Sequence, residues 1–254
     1  MTEVPARDPF ARLRGLTPAR LGLGRAGEGL PTAAMLGFQI AHAQARDAVW
    51  APFDPARVAS ALAPLATLEV ASRAAGRESY LRRPDLGRRL EAASAERLAP
   101  GAWDLAIVVA DGLSAPAVHA HAAPVIQALT PRLTGLAMAP VTIASLARVA
   151  LGDEIGERLG AAMVLILIGE RPGLSAPDSL GAYLTWRPRV GRLDADRNCV
   201  SNIRPPEGLG YEPAADTLAW LIGEGRRRGL TGVALKDERP AALANGADDL
   251  SGGV

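Results

Sequence analysis

Apolar positions along this chain follow one rhythm before residue 100 and another after it. From Thr32 to Val49, "TAAMLGFQIAHAQARDAV", only Gly37 interrupts a helical pattern. Leu36, Ile40 and Ala43 fall on one face, and Thr32 is placed to cap the start. A second helix is predicted from Asp54 or Pro55 to Gly76, with Pro64 as its weak point. A third runs from Pro84 to Leu98, with Asp85 in its first turn. Pro100-Gly101 then punctuates the chain and marks a domain boundary.

Beyond that pair, short aliphatic runs alternate with helical ones. Leu105 to Ala110 is apolar and rich in β-branched residues, as suits a strand buried on both faces. Ala115 to Leu129 has helical period, Leu136 to Ile143 reads as a strand, and Asp153 to Leu159 as a short helix. Ala162 to Ile168, Tyr183 to Trp186 and Cys199 to Ile203 are further strands, and Ala214 to Arg228 is a final helix. Strands that alternate with helices imply a parallel sheet. The prediction is an α/β fold: a Rossmann-like, mostly parallel sheet domain over 101–240, preceded by a smaller helical N-terminal region over 1–100. Residues 241–254 read as a disordered tail.

The pentapeptide "GLSAP" occurs twice, at Gly112–Pro116 and Gly173–Pro177, each time after an aliphatic run. In each copy a strand ends and a helix can begin: Ser114 and Ser175 are able to cap backbone N–H groups, and Pro116 and Pro177 tolerate a first-turn position. In open α/β sheets ligands bind outside the carboxyl ends of strands, so two such loops could form one wall of a site. Equally, any strand-loop-helix unit favours these residues. The flanking sequences do not match, which argues against an internal duplication.

Composition prunes the chemistry. With 254 residues, 48% of them apolar, the chain is long enough to bury a substantial core. A net charge of +1 argues against a general grip on nucleic acid. The apolar run from Ala161 to Ile168 is far short of the roughly 20 residues of a membrane helix. With no signal-peptide pattern and a lone Cys199, the chain reads as cytoplasmic. Lys236 is the only lysine, which disfavours Schiff-base chemistry and Walker-type phosphate binding.

The polar clusters are mostly explicable without catalysis. No histidine follows His121, so the second serine loop cannot complete a hydrolase triad in the usual chain order, and both serines have Ala-Pro downstream where that motif has its glycine. His119 and His121 lie two apart on a predicted helix, about 200° around its axis, and would not share a metal. Arg82-Arg83 and Arg88-Arg89 suit a solvated face or a protein interface, and Arg226-Arg227-Arg228 suits a helix C-terminus. Two stretches carry more. "GERPG" (Gly169–Gly173) sets a carboxylate and a guanidinium directly after a buried strand, and Leu193–Gly208 crowds polar residues around Cys199, itself readable as a small buried hydrophobe. Residue chemistry alone gives an α/β domain with a polar loop-edge site and a helical arm.

Several blocks together resemble the small (light) subunit of ethanolamine ammonia-lyase. They are "GRAG" at Gly24–Gly27, "YLRRPDLGRRL" at Tyr80–Leu90, "VADGLSAPAV" at Val109–Val118, "GERPGLS" at Gly169–Ser175 and "DADRNCVSNI" at Asp194–Ile203. That resemblance implies a subunit of an adenosylcobalamin-dependent lyase that turns ethanolamine into acetaldehyde and ammonia. It implies that the large subunit holds substrate and catalytic residues, that the pair forms a hexamer of heterodimers, and that this chain is inactive alone. The N-terminal region would dock the large subunit. By the same resemblance Val149, Glu170 and Cys199 contact the cobalamin, with Arg171, Ser201 and Asn202 as further candidates in the same loops. Glu170 would accept from corrin carboxamides, Val149 would pack on the ring, and Cys199 would be a soft packing contact; no residue is expected to be catalytic or to bind metal. Cleavage of the cobalt–carbon bond would supply the radical. The sequence departs from the family at Arg204, where a histidine is familiar, at Ala41, and in a short N-terminus, which leaves location inside a bacterial microcompartment open. Two other classes stay open: a Rossmann-like nucleotide-binding module and a purely structural partner of a larger enzyme.

Overall fold

A single strand with apolar side chains on both faces lies at the centre of the two core layers. In the computed structural model, which describes residues 10–17, 19–25 and 27–239, every residue of Leu105–Ala110 is buried. Leu105, Ile107 and Val109 face one layer of helices, while Ala106, Val108 and Ala110 face the other. A strand clad on both sides needs no polar face, which is why this run is continuously aliphatic.

The elements in chain order are α1 (Ala11–Arg14), α2 (Thr32–Trp50), α3 (Pro55–Leu62), β1 (Thr67–Ala71), α4 (Arg77–Arg82), α5 (Ala92–Glu96), β2 (Leu105–Ala110), α6 (Ala115–Leu129), β3 (Val141–Ser145), α7 (Leu151–Leu159), β4 (Met163–Gly169), β5 (Leu180–Trp186), β6 (Arg197–Ile203) and α8 (Tyr211–Arg228). The strands form one sheet in the order β1-β3-β2-β4-β5-β6. Pairs β1–β3, β3–β2 and β2–β4 are parallel, whereas β4–β5 and β5–β6 are antiparallel, so the sheet is mixed. Helices α3, α6 and α8 pack on one face, through Val58, Val118, Ile126 and Leu218. On the other face α7 supplies Leu151, Ile155 and Leu159.

Several expectations are met and several are corrected. Strand β2 and helix α6 have the predicted bounds, and β4 and α7 begin within two residues of theirs. The long helix expected from residue 54 to 76 is instead α3 followed by β1: Asp54 caps α3 by accepting from Arg57 N (3.1 Å), and Pro55 opens it. β1 then joins the sheet edge beside β3, so the sheet draws on both sides of the Pro100-Gly101 boundary. The helix expected from Pro84 to Leu98 is a 3-10 turn at Leu86–Arg88 and the short α5. Thr32 lies inside α2 without capping it, and Leu36 and Ile40 point outward. The sheet is less uniformly parallel than predicted because β5 and β6 return antiparallel. The predicted tail, 241–254, lies outside the described residues. Among those residues no helix is long and apolar enough to cross a membrane.

Chain direction reverses where it matters. From β2 the chain passes through α6 to β3 on one side, then through α7 to β4 on the other. The loops leaving the adjacent strands β2 and β3 therefore lead to helices on opposite faces and open a crevice at the strands' carboxyl ends, where α/β sheets hold ligands.

Candidate functional site

The crevice is floored by two backbones in close approach. Gly112, just after β2, has φ +55°, and a Cβ there would lie 2.2 Å from the carbonyl oxygen of Gly169 at the end of β4. A Cβ on Gly169 would in turn lie 2.2 Å from Ser114 O. Only glycine permits this contact, which brings the two strand ends together.

Above the floor is a cavity of about 390 Å³ whose walls include Tyr80, Leu113, Arg148, Val149, Glu170 and Tyr183. A second cavity of about 300 Å³ adjoins it, sharing Arg148 and Val149. Tyr80 is fully buried, its hydroxyl donating to Ala147 O at 3.0 Å. The Arg148 guanidinium lies 4.2 Å from its ring centroid, and that of Arg77 lies 4.9 Å away. Such stacking orders flexible side chains without consuming most of their N–H donors. Burial pushes the Tyr80 hydroxyl well above its ordinary pKa, and the Asp111 carboxylate adds to the effect, so the ring stays neutral.

Asp111 is the strut beneath. Its Oδ1 accepts from Ala147 N (3.0 Å) and its Oδ2 meets Arg77 Nη1 at 3.2 Å, while the same Nη1 donates to Gly112 O at 2.8 Å. Helix α4, the loop after β2 and the loop after β3 are thus tied at one buried carboxylate. Burial raises this carboxyl to about 6, and its hydrogen bonds and Arg77 offset that only in part.

Of the residues expected to matter, the cavity brings together Val149, Glu170 and Arg171. Val149 is half-buried against the α7 face of the core. Glu170 Oε2 accepts from Ser179 Oγ and from Asn202 N (3.2 Å), whereas no hydrogen bond to Oε1 occurs among the described residues. The carboxylate is therefore held by one oxygen and offers the other. Cys199 lies on β6 opposite Tyr183, whose side chain lines the cavity, so it stands one residue behind the wall. Although Cys199 is exposed as a residue, the protein around its sulfur raises the thiol's pKa; Tyr183 lowers it and the Glu170 charge raises it further. The thiol is therefore neutral at physiological pH. Asn202 contributes through its backbone, and Ser201 is exposed on β6 outside the cavity lining.

The other motifs resolve simply. His119 Nε2 accepts from Asp54 N (3.1 Å), whereas His121 Nδ1 meets Tyr211 OH at 2.9 Å, so the pair faces different elements. Arg82 and Arg83 form exposed ion pairs with Glu78 and Asp85, Arg89 turns inward to Glu154, and Arg88 lines the second cavity. Tyr80, Arg148, Asp111 and Arg77 escaped the sequence reading as site residues. Tyr80 opens one of the matched blocks, Arg148 directly precedes Val149, and Asp111 directly precedes the first pentapeptide; those were the available signals.

The family described as "Ethanolamine ammonia-lyase light chain (EutC)" matches residues 7–236. A Ralstonia nicotianae protein named ethanolamine ammonia-lyase small subunit is 57% identical over 247 residues, covering 93% of this chain and 91% of its own. Proteins of the same name from Azotobacter vinelandii and Bradyrhizobium diazoefficiens are 56% and 57% identical, covering 94% and 92% of this chain and 92% of their own length in each case. The chain belongs to the ethanolamine ammonia-lyase light-chain family and is a small subunit of that lyase.

Proposed function

We propose that this subunit joins a large subunit to form an adenosylcobalamin-dependent ethanolamine ammonia-lyase, and that the switch-point crevice covers part of the cofactor. The observation that carries the reading is that Val149 and Glu170, from loops after different strands, line one cavity, with Tyr183 linking it to Cys199. The Rossmann-like character of the parallel half of the sheet supports a nucleotide-tailed ligand at this position.

The donor set fits the group. A corrin rim carries carboxamides, for which Glu170 Oε1 is a free acceptor and the Arg148 and Arg171 guanidiniums are donors. Its methyls and ring face suit Val149, Leu113 and Ile168. The cavity is at the low end of the roughly 300–1,000 Å³ of small-molecule sites. A corrin is larger than that, so this chain supplies one wall and a partner the rest. When bound, the cofactor supplies radical chemistry through its cobalt–carbon bond. The chain's own share is to orient the corrin through Glu170 and Val149 and to shield it from water.

Helix α2 supports the docking part of the reading. Met35, Leu36, Phe38, Ile40 and Trp50 are all exposed, and only Ala41 and Ala48 of the helix are buried. A helix so apolar on its outside suits a protein partner. The hexamer of heterodimers belongs to this proposal as the assembly in which the arm is covered.

Ammonia release from ethanolamine with adenosylcobalamin tests the whole. Activity is expected only when this chain is mixed with its large subunit, and Glu170→Ala should weaken cobalamin binding by the complex about tenfold. A silent mixture of folded, associated subunits removes ethanolamine as substrate. Unchanged cobalamin affinity in Glu170→Ala removes Glu170 as a contact and favours a purely structural subunit.

A further inference from the structure

Residues 170–179 join β4 to β5, and their last stretch is anchored on either side of Asp178. Before it, Pro177 O accepts from Ser114 Oγ at 2.9 Å. After it, Ser179 holds Glu170 twice: its carbonyl accepts from Glu170 N at 2.9 Å and its hydroxyl donates to Glu170 Oε2. Asp178 itself stops short of two buried donors. Its Oδ2 lies 3.8 Å from His121 Nε2 on α6, and its Oδ1 lies 3.7 Å from Arg204 Nε just beyond β6. Both nitrogens are buried without a hydrogen-bond partner among the described residues, on side chains only 7% and 14% exposed. A buried N–H without an acceptor is costly. Here two of them face the two oxygens of one carboxylate, each roughly 1 Å beyond hydrogen-bond length.

The imidazole is set to donate. Burial holds His121 below the ordinary imidazole range; Asp178 offsets this only in part and Arg204 adds to it, so the ring is neutral at physiological pH. Tyr211 OH lies 2.9 Å from Nδ1, and burial, helped by the Asp178 charge, raises that hydroxyl's pKa, so it keeps its proton. A hydroxyl that donates to Nδ1 leaves the ring's one proton on Nε2, towards Asp178. Water pulls the other way. Asp178 is 39% exposed beside a cavity of about 460 Å³, which it lines with Gln44, Asp47 and Ala48 of α2. Hydration on the cavity side therefore competes with two unsatisfied donors on the inner side.

We infer that residues 170–179 are a strap with a latched position, in which the Asp178 carboxylate accepts from His121 Nε2 and Arg204 Nε together, and that latching fixes the Glu170 carboxylate through the neighbouring Ser179. The inference concerns the chain's own conformation and stands whether or not Glu170 meets a cobalamin.

The test is amide hydrogen exchange on the full chain, read at two reporters of Glu170: its own N–H, bonded to Ser179 O, and Asn202 N–H, bonded to Glu170 Oε2 at 3.2 Å. Asp178→Ala should speed both about tenfold, and Asp178→Asn, whose amide satisfies one donor but not two, should fall between. Arg204→Met removes one donor and should also give an intermediate increase at Glu170. Adding Arg204→Met to Asp178→Ala should speed Glu170 no further, because both act on one latch. Amides of β2 report the fold and should not change; if they do in Asp178→Ala, Asp178→Asn carries the comparison. In the native chain the nitrogen chemical shifts of His121 should show a neutral ring protonated at Nε2. Unchanged exchange at Glu170 and Asn202 on loss of the Asp178 carboxylate overturns the strap, and so does a ring protonated at Nδ1. Independent, additive effects of the Asp178 and Arg204 substitutions reduce the contacts to ordinary ion pairs and overturn it as well.

Discussion

The two copies of Gly-Leu-Ser-Ala-Pro share every residue and little else. In the first, Gly112 has φ +55° beneath Gly169, and Ser114 is fully buried at the start of α6. In the second, Gly173 has ordinary φ, Ser175 is exposed, and β5 follows without a helix. Their neighbours account for the difference. Asp111, tied to Arg77 and Ala147, anchors the first copy from below, and β3 awaits on the same sheet after a crossover helix. Pro172 precedes the second, and the chain turns back at once into an antiparallel strand. The copies nonetheless touch, because Ser114 Oγ donates to Pro177 O at 2.9 Å. Identical local chemistry offers a turn; its tertiary partners decide whether the turn becomes the floor of a crevice or its rim.

Alanine at the matched glycines breaks this comparison most widely. Gly112→Ala forces a methyl to 2.2 Å from Gly169 O at a left-handed φ. The expected destabilisation is about 3 kcal/mol or more. At Gly173 the nearest atom to an added Cβ is 3.7 Å away, so Gly173→Ala should stay within about 0.5 kcal/mol in the same denaturant titration. Equal losses would mean that the crevice floor is not a constraint.

Next in size is the anchor that only the first copy has. Burial lifts the Asp111 carboxyl from 3.8 to about 6. Between those values the native state keeps a proton that the unfolded chain has lost. This stabilising contribution is full below about pH 4 and lost as pH rises to about 6, some 3 kcal/mol in all, and levels off above that. Asp111→Asn does not titrate. Its stability relative to the native protein should therefore rise from pH 4 to 6 and stay flat beyond 7. A difference constant across that range would mean that Arg77 holds the carboxylate ionised throughout.

What could be read from the sequence follows from the same contrast between local and long-range causes. β2 and α6 were legible to the residue because burial on both faces makes a strand continuously aliphatic, and Ser114 caps its own helix. β1 was not: "TLEVA" carries the exposed Glu69 and becomes a strand only by pairing with β3, over seventy residues away. The second pentapeptide was read as a helix start because nothing within it announces the antiparallel return. At the site, Glu170 was visible as a carboxylate after a buried strand, whereas the roles assigned to Val149 and Cys199 came through resemblance alone. The stack of Arg148 on Tyr80 and the Arg77–Asp111 tie join residues 68 and 34 positions apart, and no local pattern marks such pairs.

The matched serines give the finest comparison, because their effects should differ in reach as well as in size. Ser114 Oγ accepts from Ala117 N at 3.3 Å, capping α6, and donates its own proton to Pro177 O in the other copy. Ser114→Ala leaves a buried N–H and a carbonyl without partners, a loss of about 1–2 kcal/mol. Ser175 is exposed, with no side-chain bond among the described residues, and Ser175→Ala should cost less than about 0.5 kcal/mol. Amide hydrogen exchange separates a cap from a tether. If Ser114 only caps its helix, Ser114→Ala speeds exchange at the first turn of α6 and leaves residues 173–178 unchanged. If it also ties the rim to the floor, exchange rises in both copies, whereas Ser175→Ala alters neither beyond its own loop. The second pattern is expected, since Pro177 O has its hydroxyl partner across the crevice.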